Sequence, residues 1–171
     1  MKKWVIMLYI SNTENDRGSN FVMMCGAPGS GKTTFAKKYV DEYEDWTRVA
    51  PDDIRRLTTG NPMDMSQDHE VFSIVYDTIR DELEHGSNVI YDATNCNAHY
   101  RRGMIDFVRK IEQTNMIVCL VARTDIRTCF DRNESREDGC RVPDDVVERM
   151  YISLKNRMPS ITEGFDVVGY F

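Results

Sequence analysis

Along the chain, short apolar runs alternate with longer stretches in which apolar residues recur every three or four positions. Runs of the first kind at 21–25, 46–50, 88–92, 116–122 and 166–170 predict strands, and periodic stretches at 33–43, 52–58, 67–85, 98–112, 125–135 and 143–157 predict helices. In 67–85, Val71, Ile74, Val75, Thr78, Ile79 and Leu83 fall at helical spacing, as do Met104, Ile105, Val108 and Ile111 in 98–112. Pro143-Asp144-Asp145 reads as a helix opening, because proline fits the first turn and acids complement its positive end. Strands alternating with helices predict an α/β fold, a parallel sheet flanked by helices on both faces. Ligands then gather at the carboxyl ends of the strands. No repeat, low-complexity segment or linker interrupts the pattern, so residues 21–171 predict a single domain. Residues 4–10 predict one more strand at a sheet edge, joined through the polar loop Ser11 to Asn20, and the alternative for 1–20 is a poorly ordered extension.

One strand–helix junction carries a specific chemistry. Gly26-Ala27-Pro28-Gly29-Ser30-Gly31-Lys32-Thr33 is a complete G-x-x-x-x-G-K-[ST] phosphate loop between the apolar run Phe21 to Cys25 and the helix-like stretch Thr34 to Val40. Gly26, Gly29 and Gly31 let the backbone curl with its N–H groups inward, where a side chain would block a phosphate. The helix beginning near Lys32 adds its positive end. Ser30 and Thr34 complete the nucleotide-binding set. Lys32 reaches the β- and γ-phosphates, and the Thr33 hydroxyl ligates Mg²⁺. The loop predicts ATP or another nucleoside triphosphate with Mg²⁺, and leaves the acceptor open.

Bulk properties narrow the setting. A length of 171 residues fits one domain with a sizeable core. The net charge of −6 excludes a strongly basic nucleic-acid binder, though not a local basic groove. Five cysteines without a C-x-x-C pair argue for reduced thiols and an intracellular, cytoplasmic setting, the host cytoplasm if the chain is viral. No apolar stretch approaches transmembrane length, so no membrane partner is expected. Lys2-Lys3-Trp4 to Ile10 resembles a secretory n- and h-region without a convincing cleavage site. His69, His85 and His99 show no metal-ligand spacing, and the oligomeric state is not indicated.

Three further segments suggest acceptor chemistry. Asn88-Val89-Ile90-Tyr91-Asp92 ends an apolar strand in a carboxylate, as expected of a strand that sets an acid beside the metal, so Asp92 is a candidate to act through the Mg²⁺ water shell or through Thr33. Pro51-Asp52-Asp53-Ile54-Arg55-Arg56 puts two acids at the end of the second strand. Asp52 is the candidate to take the acceptor's proton, and Asp53 is a helix cap or support. Arg55, a helical turn from Asp52, is placed to hold an anionic group, and a surface ion pair is the bland alternative. Arg132 and Arg136, four residues apart on one predicted helix, are followed by the polar, glycine-containing loop that leads to Arg141. They predict a helical lid that brings guanidinium groups to the transferring phosphoryl, against a plain solvated helix. Arg55, Arg56, Arg101 and Arg102 suit a polyanionic acceptor if they line one groove.

Taken in order, G-A-P-G-S-G-K-T, D-D-I-R at Asp52 to Arg55, D-A-T-N at Asp92 to Asn95, R-N-x-x-R at Arg132 to Arg136 and V-P-D-D-V-V-E-R-M-Y from Val142 resemble the kinase domain of phage-type polynucleotide kinases and related single-domain P-loop kinases. The resemblance spans about residues 21–157. It implies transfer of the ATP γ-phosphoryl to a 5′-hydroxyl of DNA or RNA. Asp52 is then the general base and Arg55 the contact to the acceptor's 3′-phosphate, with Asp92 an essential acid and Arg132 and Arg136 the lid arginines. Pro51 departs from the family, which often carries a basic or small polar residue there. No D-x-D-G-[TS] motif is present, so the 3′-phosphatase activity of some members is expected to be absent. A small-molecule kinase acting on a nucleoside, nucleotide or sugar is the alternative, and a catalytically silent nucleotide-dependent switch is a reading from another class.

Overall fold

The structure is a computed structural model and describes residues 18–137 and 139–171. The strand predicted at 4–10 lies outside the described residues. Among the described residues five strands form one sheet: β1 (Ser19–Cys25), β2 (Trp46–Val49), β3 (Asn88–Tyr91), β4 (Thr114–Val121) and β5 (Val167–Tyr170). Their order is β2-β3-β1-β4-β5, and every neighbouring pair is parallel. The helices are α1 (Lys32–Glu42), α2 (Pro51–Thr59), α3 (Asp68–Glu84), α4 (Ala98–Val108), α5 (Ile126–Glu134) and α6 (Asp144–Asn156), with 3₁₀ turns at Met65–Gln67 and Ile161–Glu163.

The central strand explains the two-sided architecture. Every residue of β1 is buried, and successive side chains point to opposite faces. Phe21, Met23 and Cys25 join Val75, Ile79 and Leu83 of α3 and Met104, Ile105 and Val108 of α4. Val22 and Met24 pack instead with Ala36 and Tyr39 of α1. A run that is apolar on both faces requires helices on both. The sheet thereby sets β1, with the phosphate loop at its end, between β3 on one side and β4 on the other.

Some predicted boundaries shift for local reasons. Strand β1 begins at Ser19 rather than 21, because the Ser19 amide bonds Gln113 O and its hydroxyl bonds Leu83 O. Helix α4 stops at Val108, and Ile111 remains buried in the turn beyond it. Its apolar spacing therefore outlasts the helix. Helix α5 ends at Glu134, so Arg136 lies past its C-cap, Ser135, and does not share a helical face with Arg132. Pro143 precedes α6 as its N-cap.

Arg101 is 0% exposed. Its Nε and Nη2 bond the two oxygens of Glu163 at 2.7 Å each, Nη2 also bonds Arg157 O, and Nη1 bonds Asn95 O and Cys96 O. All five guanidinium donors thus have acceptors. This side chain fastens α4 to the segment after β3 and to the 3₁₀ turn, and it cannot face an acceptor groove. Arg101→Met leaves Glu163 without its partner and should lower stability by about 3–5 kcal/mol, measured by urea unfolding. Arg101→Lys should recover only part of this, since an ammonium cannot reproduce the planar fork.

Candidate active site

The phosphate loop is closed by its neighbours. Gly29 has φ 79° and Gly31 φ 94°, both left-handed, and Gly31 is the N-cap of α1. A Cβ on Gly29 would lie 2.3 Å from Cys129 O, so the loop passes against the backbone of α5 with no room for a side chain. On the other flank, Thr124 Oγ1 donates to Ser30 O at 2.8 Å. The Gly26 amide bonds Thr94 O at 2.9 Å. Asn95, at φ 47°, donates through Nδ2 to Met24 O at 2.7 Å. These bonds brace the base of the loop from the segment that follows β3.

Lys32 is buried, and its Nζ donates to Ala27 O at 2.9 Å and Ser30 Oγ at 3.3 Å. Burial lowers its pKa, while the negative potentials of Cys96, Asp92 and Cys25 oppose that shift and the positive charge of Arg136 adds to it. Thr33 and Thr34 are exposed on the first turn of α1, and Ser30 is buried.

Two acids stand at adjacent strand ends. Asp92 follows β3 and is buried, and its amide bonds Val49 O. Its Oδ2 accepts from Arg48 Nε at 2.8 Å and lies 2.7 Å from Nη2 of the same guanidinium in an ion pair. The remaining nitrogen of Arg48, Nη1, bonds the Asp53 carboxylate. Burial works against the Arg48 charge, yet Asp53 and Asp92 outweigh it and hold its pKa above the ordinary value. Arg48 was missed in the sequence reading. Its one signal is a lone charged residue within the predicted strand 46–50. Asp53 is also not a cap: Ala50 is the N-cap of α2, no side chain caps it, and Asp53 acts through Arg48.

The side chain of Asp52 is 77% exposed, and its Oδ1 accepts from Arg55 Nη1 at 2.9 Å. Arg55 is buried, so it is no surface ion pair. Its Nε and Nη2 bond Asp68 Oδ1 at 3.0 and 2.9 Å, and Nη1 also reaches Pro62 O. With Arg55 and Arg101 both turned inward, the four arginines named above do not form one groove.

The predicted lid lies across the loop. Arg132 Nη1 donates to Gly29 O at 3.4 Å, and Arg136 Nη1 to Cys140 O at 3.4 Å. Buried Asn133 pairs with the main chain of Val142 through both its amide groups. Arg141 bonds Asp144 of α6, and Arg56 Nη2 lies 3.9 Å from Cys140 Sγ, so α2 meets this segment. A cavity of about 350 Å³ adjoins the loop, lined among others by Ala27, Ser30, Thr124, Tyr151 and Tyr170, with the Arg123 guanidinium 4.1 Å above the Tyr170 ring. Nothing in the sequence pattern pointed to it. Among the described residues no helix is long and apolar enough to cross a membrane.

A phosphate loop joining the central strand of a β2-β3-β1-β4-β5 parallel sheet to α1, with an arginine-bearing helix across it, defines a P-loop kinase, a nucleotide-binding phosphotransferase. The chain belongs to the AAA domain family, whose model matches residues 21–157. No curated protein sequence matches it. Among solved structures, a chain of a Pnkp1/Rnl/Hen1 RNA repair complex is similar at 25% identity and TM-score 0.75, over 90% of this chain and 49% of that one. This chain thus spans about half the length of that relative. A fungal RNA kinase (17% identity, TM-score 0.60, 91% of this chain and 76% of that one) shares the fold. So does shikimate kinase from Acinetobacter baumannii in complex with shikimate (18%, TM-score 0.56, 90% and 83%).

Proposed function

We propose that the protein is an ATP-dependent polynucleotide 5′-hydroxyl kinase that transfers the γ-phosphoryl to the 5′-OH of DNA or RNA. The observation that carries this reading is the Asp52–Arg55 pair at the end of β2, an exposed carboxylate held by a buried guanidinium, with buried Asp92 at the end of the neighbouring strand β3. The likeness to a chain of an RNA repair complex and to a fungal RNA kinase supports a nucleic-acid acceptor.

In this mechanism the Asp52 carboxylate takes the proton of the acceptor hydroxyl. The freed oxygen bonds to the γ-phosphorus as the bond from phosphorus to the β–γ bridging oxygen breaks, and ADP leaves. The inward amides of the loop and Lys32 hold the phosphates, while Arg132 and Arg136 offset charge on the transferring group. Arg55 orients Asp52 and, on releasing Pro62 O, contacts the acceptor's phosphate. Mg²⁺ fits the oxygens available, the Thr33 hydroxyl and the Asp92 carboxylate. Among the described residues no group of three or more His, Cys, Asp or Glu forms a metal cluster. When bound, the ion neutralises phosphate charge.

The test is transfer of γ-phosphate from labelled ATP to 5′-hydroxyl DNA and RNA oligonucleotides, beside a panel of nucleosides, nucleotides and sugars. Label at an oligonucleotide 5′-end supports the reading, and label on a small molecule alone overturns the acceptor. The small-molecule alternative is favoured by the inward turn of Arg101 and Arg55, which leaves less free positive charge for a polyanion.

A further inference from the structure

We propose that Arg48 is a positioning residue of the phosphoryl-transfer site, one guanidinium that turns Asp92 toward the phosphate loop and ties it to the first turn of α2, beside Asp52. The inference deepens the reading of Asp92 as the metal-side acid and of Asp52 as the base, and rests on it.

Arg48 sits in β2 opposite Ile90 of β3, one residue before the Val49–Tyr91 pair that leads into Asp92. From there it reaches two acids on different elements. Nε and Nη2 converge on the same Asp92 oxygen, Oδ2, and among the described residues no protein donor bonds Oδ1. One oxygen is thus fixed and the other is left for an incoming ligand. The third nitrogen holds Asp53, adjacent in sequence to Asp52. The Arg48 side chain is only 12% exposed and that of Asp92 only 3%. The attraction within such a pair is strongest where water is excluded, and removing one member leaves a buried charge uncompensated. A planar fork with separated donors serves two carboxylates at fixed angles, a geometry that the compact ammonium of lysine does not reproduce. Groups that orient a ligating carboxylate commonly change metal affinity by about 10–100-fold when replaced.

The experiment is calorimetric titration of ADP, with and without Mg²⁺, into the wild type, Arg48→Lys and Arg48→Gln. Unfolding temperatures and kcat and KM are measured in parallel on the acceptor that the wild type uses. Both variants should weaken the Mg²⁺-dependent part of ADP binding by about 10–100-fold and leave metal-free ADP affinity unchanged. Both should lower kcat more than they raise the acceptor KM, with Arg48→Lys the milder. Mg²⁺ enhancement within about twofold of wild type overturns the proposal, as does an equal loss of metal-free binding, which marks a purely structural role. A wild type without Mg²⁺ enhancement also overturns it. If Arg48→Gln does not fold, Arg48→Lys decides. A wild type that phosphorylates no oligonucleotide defeats the acceptor assignment alone, because the ADP titration contains no acceptor.

Discussion

Asp52→Asn should lower kcat for phosphoryl transfer by about 10²–10⁴-fold while leaving ADP affinity within experimental error, the range expected on removing a positioned proton acceptor. The amide is nearly isosteric and can still accept from Arg55 Nη1, so the orientation of residue 52 survives and only its basicity is lost. The side chain is open to solvent, so stability should change little. Because Asp52 follows β2 whereas the phosphate loop follows β1, nucleotide binding should be indifferent to the change. Single-turnover transfer and calorimetric ADP binding on the same preparation separate these outcomes. A variant that transfers within a fewfold of wild type removes Asp52 from the role of base.

Gly29→Ala should abolish measurable ATP binding and cost stability as well. Alanine at φ 79° costs about 1–2 kcal/mol in backbone strain alone. The new methyl would also meet Cys129 O at 2.3 Å, and that obstacle is backbone, so α5 or the loop must move as a body. Forcing an extra carbon into a close-packed site typically adds about 1–3 kcal/mol. The displacement carries Arg132 away from Gly29 O, so the cradle and its arginine are lost together. Urea unfolding and ATP titration report the two consequences, and wild-type binding in the variant would show that the loop and α5 are not mechanically joined.

Much of the fold is legible in the sequence because it depends on local period. The alternation of Phe21, Met23 and Cys25 with Val22 and Met24 reads directly as a strand buried on both sides, and the glycine pattern after it marks the loop. The site is less legible because its bonds run between elements. Arg48 looks like a misplaced charge in an edge strand until β2 lies beside β3 and Asp92 comes within reach. Arg101 and Arg102 look alike in sequence, yet one is fully buried on Glu163, 62 positions away, and the other faces solvent. Spacing alone gives no sign of that partner. The same holds for Arg132 and Arg136, whose shared face depends on a helix that ends between them.

The clasp of Arg101 on Glu163 also bears on where an autonomous folding unit can be cut. The family match ends at residue 157, but Glu163 lies beyond it. So do Asp166, whose Oδ2 accepts from Ile117 N at 2.7 Å, and β5, which pairs with β4 from Val118 to Val121. A chain trimmed to the matched stretch would strand a buried guanidinium, uncover the β4 edge and loosen the Asn95 segment that braces the phosphate loop. Sequence kinship and physical self-sufficiency therefore have different borders in this protein, and the last fourteen residues belong to the second.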